Sequence, residues 1–200
     1  MDYEIFISEK PKNGREITEI NGIPVIKPFQ IHSSRIAFVG KHTEHVPQAD
    51  ALVTDNKDVW IGVLTADCLP VFLIGENVVG IVHAGWRGTL KGITYSTVKY
   101  INNFSPVKKA ILGVCICSKC YEVGEDVYEQ FYPRYADCFT PTAENKFLFD
   151  LRKANLKQLK AAGVNSIEII NLCTVCNNNR FFSYRLEKTE KRNLSAIRLK

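Results

Sequence analysis

The residues of this sequence best suited to chemistry fall in one stretch, Thr65 to Gly88, T-A-D-C-L-P-V-F-L-I-G-E-N-V-V-G-I-V-H-A-G-W-R-G. Cys68 stands just before one apolar run, Leu69 to Ile74, and His83 closes another that begins at Val78. Two such runs joined by the polar Gly75-Glu76-Asn77 predict the strands of a hairpin, which can set Cys68 and His83 side by side. Thiolate and neutral imidazole are both ligands for a borderline-soft divalent metal such as zinc or copper, and they are equally the nucleophile and base of a thiol hydrolase. A cysteine beside buried strands can also be a small core residue. Two neighbours argue for more than that. Asp67 interrupts an apolar stretch, where a carboxylate without a partner is costly to desolvate. After His83 come Ala84-Gly85-Trp86-Arg87-Gly88, glycines that suit close approach to a ligand around an arginine that presents a planar fork of donors.

Other constellations carry less. His42 and His45, three apart in a polar loop, read as solvated side chains that can at most assist a metal or substrate. Cys115-x-Cys117-x-x-Cys120 with Cys173-x-x-Cys176 can build a separate structural zinc or iron-sulfur site, since C-x-x-C supplies two ligands at a favourable spacing. Phe181, Phe182 and Tyr184 read as core and rim aromatics, one of which can stack on a ring. The basic stretch Lys188 to Arg192 reads as a solvated turn.

The elements that must position these residues alternate unevenly. Strands are expected over Tyr3 to Ser8, Gly22 to Lys27, Arg35 to Val39, Ala49 to Thr54, Val59 to Leu64, Ala110 to Val114, Ser166 to Asn171 and Ala196 to Leu199. A long helix is expected after Gly88, capped by Thr89 and closed by Pro106; a short one spans Glu125 to Arg134; another opens at Asp150 and stops at Gly163. Strands in runs with interspersed helices predict an α+β fold, a single layered domain of mixed β-sheets with flanking helices over residues 1–200. The 46% hydrophobic and 24% charged fractions are those of a globular chain, and the net charge of +5 is dispersed, compatible with phosphate-bearing ligands and weak evidence for nucleic acid. No leader and no apolar run near the roughly 18 residues of a membrane span stand in the sequence, so a cytoplasmic protein is expected, with no membrane or nucleic-acid partner. Seven cysteines without a leader are expected as reduced thiols or metal ligands. No G-x-G-x-x-G or G-x-x-x-x-G-K occurs, which removes support for a Rossmann or P-loop nucleotide site.

Thr65-Ala66-Asp67-Cys68-Leu69-Pro70 and His83-Ala84-Gly85-Trp86-Arg87-Gly88 resemble the two signature motifs of the YfiH-like, laccase-domain family, also called multicopper polyphenol oxidoreductases and purine nucleoside phosphorylases. Gln30-Ile31-His32, Ala49 to Thr54, Tyr121 to Gly124, Asp150-Leu151, Cys173-Thr174 and Phe181 to Arg185 match further family blocks in order, over residues 28 to 199. The resemblance implies His32, Cys68 and His83 as metal ligands; Cys68, His83, Asp67 and Arg87 are the expected catalytic residues, and Gln30, Trp86 and Arg87 are expected toward substrate. It implies a purine nucleoside and phosphate as partners, with phosphorolysis of adenosine, inosine or methylthioadenosine and deamination of adenosine as activities. Zinc is the expected ion, copper the alternative. Arg87 is the expected phosphate clamp and Asp67 an orienting or proton-transferring group, against the plainer reading of an Arg87 to Asp67 ion pair. The family's N-terminal block, with a Thr-Arg and paired glycines, is missing from residues 1–27, where Asn13-Gly14-Arg15 is the nearest approach. The competing functions are a laccase-like polyphenol oxidase, a metal-free Cys/His hydrolase and a non-catalytic cell-wall maintenance factor.

Overall fold

The computed structural model describes residues 2–43 and 46–200; His45 lies outside them. The chain forms β1 (Tyr3–Ile7), β2 (Glu19–Ile20), β3 (Ile23–Ile26), β4 (Ile36–Phe38), β5 (Ala51–Thr54), β6 (Trp60–Thr65), β7 (Leu69–Ile74) and β8 (Val79–Ala84). Then follow α1 (Trp86–Leu90), α2 (Ile93–Ile101), β9 (Lys109–Leu112), β10 (Glu122–Gly124), α3 (Glu125–Phe131), β11 (Phe139–Ala143) and β12 (Lys146–Phe149). The last elements are α4 (Leu151–Ala161), β13 (Ile167–Ile169), α5 (Tyr184–Glu187) and β14 (Asn193–Leu199).

Among the described residues three sheets result: β1-β14-β6-β3-β2, β13-β9-β7-β8-β5-β4 and the small β10-β12-β11. The two large ones are mixed, with parallel pairs β3·β6, β4·β5 and β13·β9 among antiparallel neighbours. The order is the expected α+β layering. Strand β7 explains it best, because every one of its residues is buried. Leu69, Val71 and Leu73 pack on one face against α2 and α4. Phe72 and Ile74 pack on the other against Ile61, Val63 and Ile197 of the five-stranded sheet. A strand covered on both faces needs apolar residues at both parities, which is why Leu69 to Ile74 reads as an unbroken apolar run and not as an alternation.

One expectation changes, and one pairing is not visible from the order of the strands. The single helix after Gly88 is two, because Gly92 takes a left-handed conformation (φ 76°) between them, and Thr89 is buried inside α1 and caps nothing. Strand β6 leads toward the central hairpin in sequence yet pairs with β14 and β3 in the other sheet. The bend Ala66-Asp67-Cys68 therefore carries the chain from one sheet to the next. Asp150 caps α4 as expected, accepting from the Lys153 amide at 2.8 Å. No disulfide occurs, all seven cysteines being free, and among the described residues no helix is long and apolar enough to cross a membrane.

Candidate metal centre

The hairpin of β7 and β8 pairs Leu69 with Ala84 and Pro70 with His83, so Cys68 and His83 reach the same end of it. Strand β5 lies against β8, and the residue before β5, Asp50, receives the His83 amide on its carbonyl at 2.7 Å. His32 comes from the loop ahead of β4. The Cys68 sulfur and the ring nitrogens of His32 and His83 offer ligand atoms within 4.8 Å of one another. Gly85 makes the approach possible: a Cβ there would stand 2.9 Å from Cys68 Sγ and 3.2 Å from His32 Cδ2.

One carboxylate organises two of these three. Asp50 is fully buried. It accepts from His83 Nδ1 at 2.8 Å, from the amides of Ile31, His32 and Ser33 at 3.3, 3.0 and 2.6 Å, and from Ser33 Oγ at 2.7 Å. His32 is held in the left-handed region (φ 56°), a conformation that persists in a non-glycine residue only when its surroundings fix it. Burial opposes ionisation of Asp50, yet the hydrogen bonds from His83 and Ser33 prevail and hold it well below the usual carboxylate range. Burial likewise opposes the Cys68 thiolate, but the His83 charge and hydrogen bonds from both histidines bring that thiol down to about 6. His83 answers in the opposite sense: burial disfavours its cation, the Cys68 thiolate and Asp50 favour it, and its pKa is pushed up to about 9.

This donor set fits a single divalent ion. With Nδ1 engaged by Asp50, the other ring nitrogen of His83 remains for the metal, the arrangement in which a carboxylate fixes tautomer and ring orientation. Three protein ligands leave one tetrahedral position for water or substrate.

The remaining expected residues divide. Asp67, also left-handed (φ 90°), is bound by Thr174 Oγ1 at 2.6 Å, Ser183 Oγ at 2.7 Å and the Arg185 amide at 2.6 Å. Both its oxygens are occupied, so it latches the bend that carries Cys68. The ion pair with Arg87 does not form. Arg87 is exposed, its guanidinium 4.2 Å from the Trp86 ring. Gln30 donates to Leu64 O at 2.8 Å and accepts from Leu64 N at 2.7 Å, tying the His32 loop to β6. His42 is exposed and joins no ligand cluster among the described residues.

Beside the triad opens a cavity of about 530 Å³ that reaches His32, Cys68 and His83. Gln30 is on its wall; Trp86 and Arg87 are not. Its cations are instead Arg15 and Arg192, on either side of Glu190 at 3.9 and 3.8 Å. Its exposed rings are Phe29 and Tyr184, 69% and 49% accessible, whereas Phe181 and Phe182 are core. Arg192 thus lies in the stretch read as a solvated turn, and Arg15 in the segment read as lacking substrate groups. Gly14 delivers Arg15 by pressing on the Leu194 backbone, where a Cβ would come within 2.5 Å of the amide nitrogen.

Purine nucleoside phosphorylase of Aquifex aeolicus (strain VF5) is 34% identical over 171 residues, 85% of this chain and 80% of that protein. Adenosine deaminase RL5 from an unknown prokaryotic organism is 33% identical over 181 residues, 80% of this chain and 69% of that one. The crystal structure of the hypothetical protein YfiH of Bacillus licheniformis superposes with a TM-score of 0.81 at 30% identity, covering 88% of this chain and 74% of that one. A family model described as multi-copper polyphenol oxidoreductase laccase matches residues 9–200, which takes in most of the N-terminal segment that the motifs do not reach. By that match the chain belongs to the multi-copper polyphenol oxidoreductase laccase family.

Proposed function

We propose that this chain is a zinc-dependent purine nucleoside enzyme, cleaving adenosine, inosine or methylthioadenosine with phosphate and deaminating adenosine in the same site. One observation carries the reading: a single cavity, of a volume suited to a small ligand, combines the donor triad with two exposed rings and two arginines. The names of the relatives, a purine nucleoside phosphorylase and an adenosine deaminase, support the substrate class.

His32, Cys68 and His83 would hold the ion, which would supply Lewis acidity to a substrate or water oxygen. Asp50 keeps the His83 ring oriented, and Asp67 keeps Cys68 in place. Phe29 and Tyr184 offer faces to the purine. Arg15 and Arg192 gather phosphate, taking the role that the sequence suggests for Arg87. In phosphorolysis a phosphate oxygen bonds to C1′ as the C1′–N9 bond breaks; the electron pair leaves with the purine, which takes up a proton from water. In deamination a water oxygen adds at C6 and the C6–N6 bond breaks, releasing ammonia and leaving inosine.

Copper is the second reading, since two histidines and a cysteine also form the donor set of blue-copper sites. A four-electron oxidase needs several coppers, and this chain has only four histidines in all. The deciding experiment incubates zinc-loaded protein with adenosine and phosphate and separates the products. Adenine with ribose 1-phosphate, or inosine with ammonia, is expected. No product from fully loaded protein would leave the non-catalytic reading standing, and oxidation of a phenol by the copper-loaded form alone would favour the oxidase.

A further inference from the structure

We propose that Cys117, Cys120, Cys173 and Cys176 bind a second metal ion, a structural zinc held by four thiolates. Their sulfurs lie within 4.8 Å of one another, in a group separate from the triad. Two ligands of one zinc stand at most about 4.6 Å apart, twice a Zn–S distance of about 2.3 Å, and about 3.8 Å in a regular tetrahedron. The separation of the Cys120 and Cys176 sulfurs, 3.6 Å, matches the tetrahedral edge. A disulfide would need about 2.05 Å. An iron-sulfur cluster, having two or more irons to enclose, spreads its cysteines wider than one ion does.

The backbone is arranged for the same purpose. The 3₁₀ turn Ser118–Cys120 folds one C-x-x-C back on itself. A lone parallel bridge between Cys115 and Cys173 sets the second C-x-x-C beside it. The amides of Cys117 and Cys176 both point at Cys173 Sγ, at 3.3 and 3.5 Å. Amide-to-sulfur hydrogen bonds of this kind neutralise part of the charge that four thiolates bring to one zinc. The fifth cysteine of the motif is excluded: Cys115 is fully buried in the main core, and its thiol donates to the Ile116 carbonyl at 3.3 Å.

The position gives the ion a task. Thr174, between the paired cysteines of the second motif, donates to Asp67, and the Ile116 amide, next to Cys117, donates to the Asp67 carbonyl at 3.0 Å. A zinc here pins both segments that hold the bend carrying Cys68, so it stiffens the triad without touching substrate.

The test is metal content after growth and purification in reductant with zinc supplied. Wild-type protein should hold two zinc ions per chain, and Cys117→Ser/Cys176→Ser should hold one fewer. That variant can fail to fold, so His32→Ala/His83→Ala provides the second arm. It should keep one ion, and its cobalt form should show the intense visible bands and sulfur-to-metal charge transfer of a tetrathiolate. In wild-type protein the four cysteines should resist alkylation together and become reactive together on chelation. Absence of bound metal in the histidine variant, or independent labelling of the four thiols at saturating zinc, overturns the proposal. Loss of the triad's ion alone would lower both counts by one and leave the difference between wild type and the cysteine variant intact.

Discussion

At the scale of single residues, Asp50 is the group on which most depends. It gives one buried carboxylate to five donors, and its link to His83 fixes which ring nitrogen faces the triad. Replacing it by Asn keeps the shape and removes the charge, and zinc affinity should fall by about 10- to 100-fold. Competition against a chromophoric chelator measures this, and an unchanged affinity would remove Asp50 from the centre. The titration of the free site sets a second expectation. Because His83 is pushed up to about 9, it carries a proton at neutral pH that an arriving ion must displace. Zinc affinity should therefore rise with pH up to about 9 and level off above it, with protons released on binding below that point. With Cys68 down at about 6, iodoacetamide should label it in metal-free protein at pH 7 while Cys115 stays unreactive. That Cys68 and His83 meet at one end of the hairpin was legible from type and spacing, but the place of Asp50 beside them was not. Its partners are a ring 33 residues away and three amides of another loop, and no local pattern marks such a carboxylate as anything beyond a strand-edge polar residue. Arg15 and Arg192 were hidden for the same reason, being neighbours only through the pairing of distant segments.

At the scale of elements, the reading of the sequence succeeded where local burial dictates the residues and failed where the chain turns or pairs at long range. Strands β7 and β8 declare themselves because both their faces are covered, and α4 declares itself by its cap. The break between α1 and α2 was missed because apolar spacing continues across Gly92. The hairpin of β11 and β12 was missed because its exposed positions carry Thr, Pro, Glu and Lys and leave only part of a face apolar. Two substitutions separate these cases. Phe72→Ala removes a fully buried ring from the interface of the two large sheets and should destabilise by about 3–5 kcal/mol. Gly92→Ala forces a side chain into a left-handed position and should cost about 1–2 kcal/mol. Urea unfolding reads both; equal effects would contradict the distinction between core and turn.

At the scale of the whole molecule, the cavity is assembled from parts that only the complete fold brings together. Its walls come from residues near 15, 30, 65, 83, 184 and 192. If Arg15 and Arg192 gather phosphate, Arg192→Ala should raise the KM for phosphate at least tenfold with kcat for deamination little changed, and Arg87→Ala should leave that KM alone. Steady-state kinetics with phosphate varied decide between the two arginines. The latch on Asp67 has a further consequence in time. Its donors lie 107 to 118 residues downstream, whereas His32, Cys68 and His83, the three residues proposed to hold zinc, are all encoded by residue 83. During synthesis on the ribosome the thiol and both imidazoles emerge long before the groups that hold them in register. If the triad holds zinc, a growing chain should pass through a stage in which it can grip an ion only loosely, and the arrival of its last segments should make that grip selective.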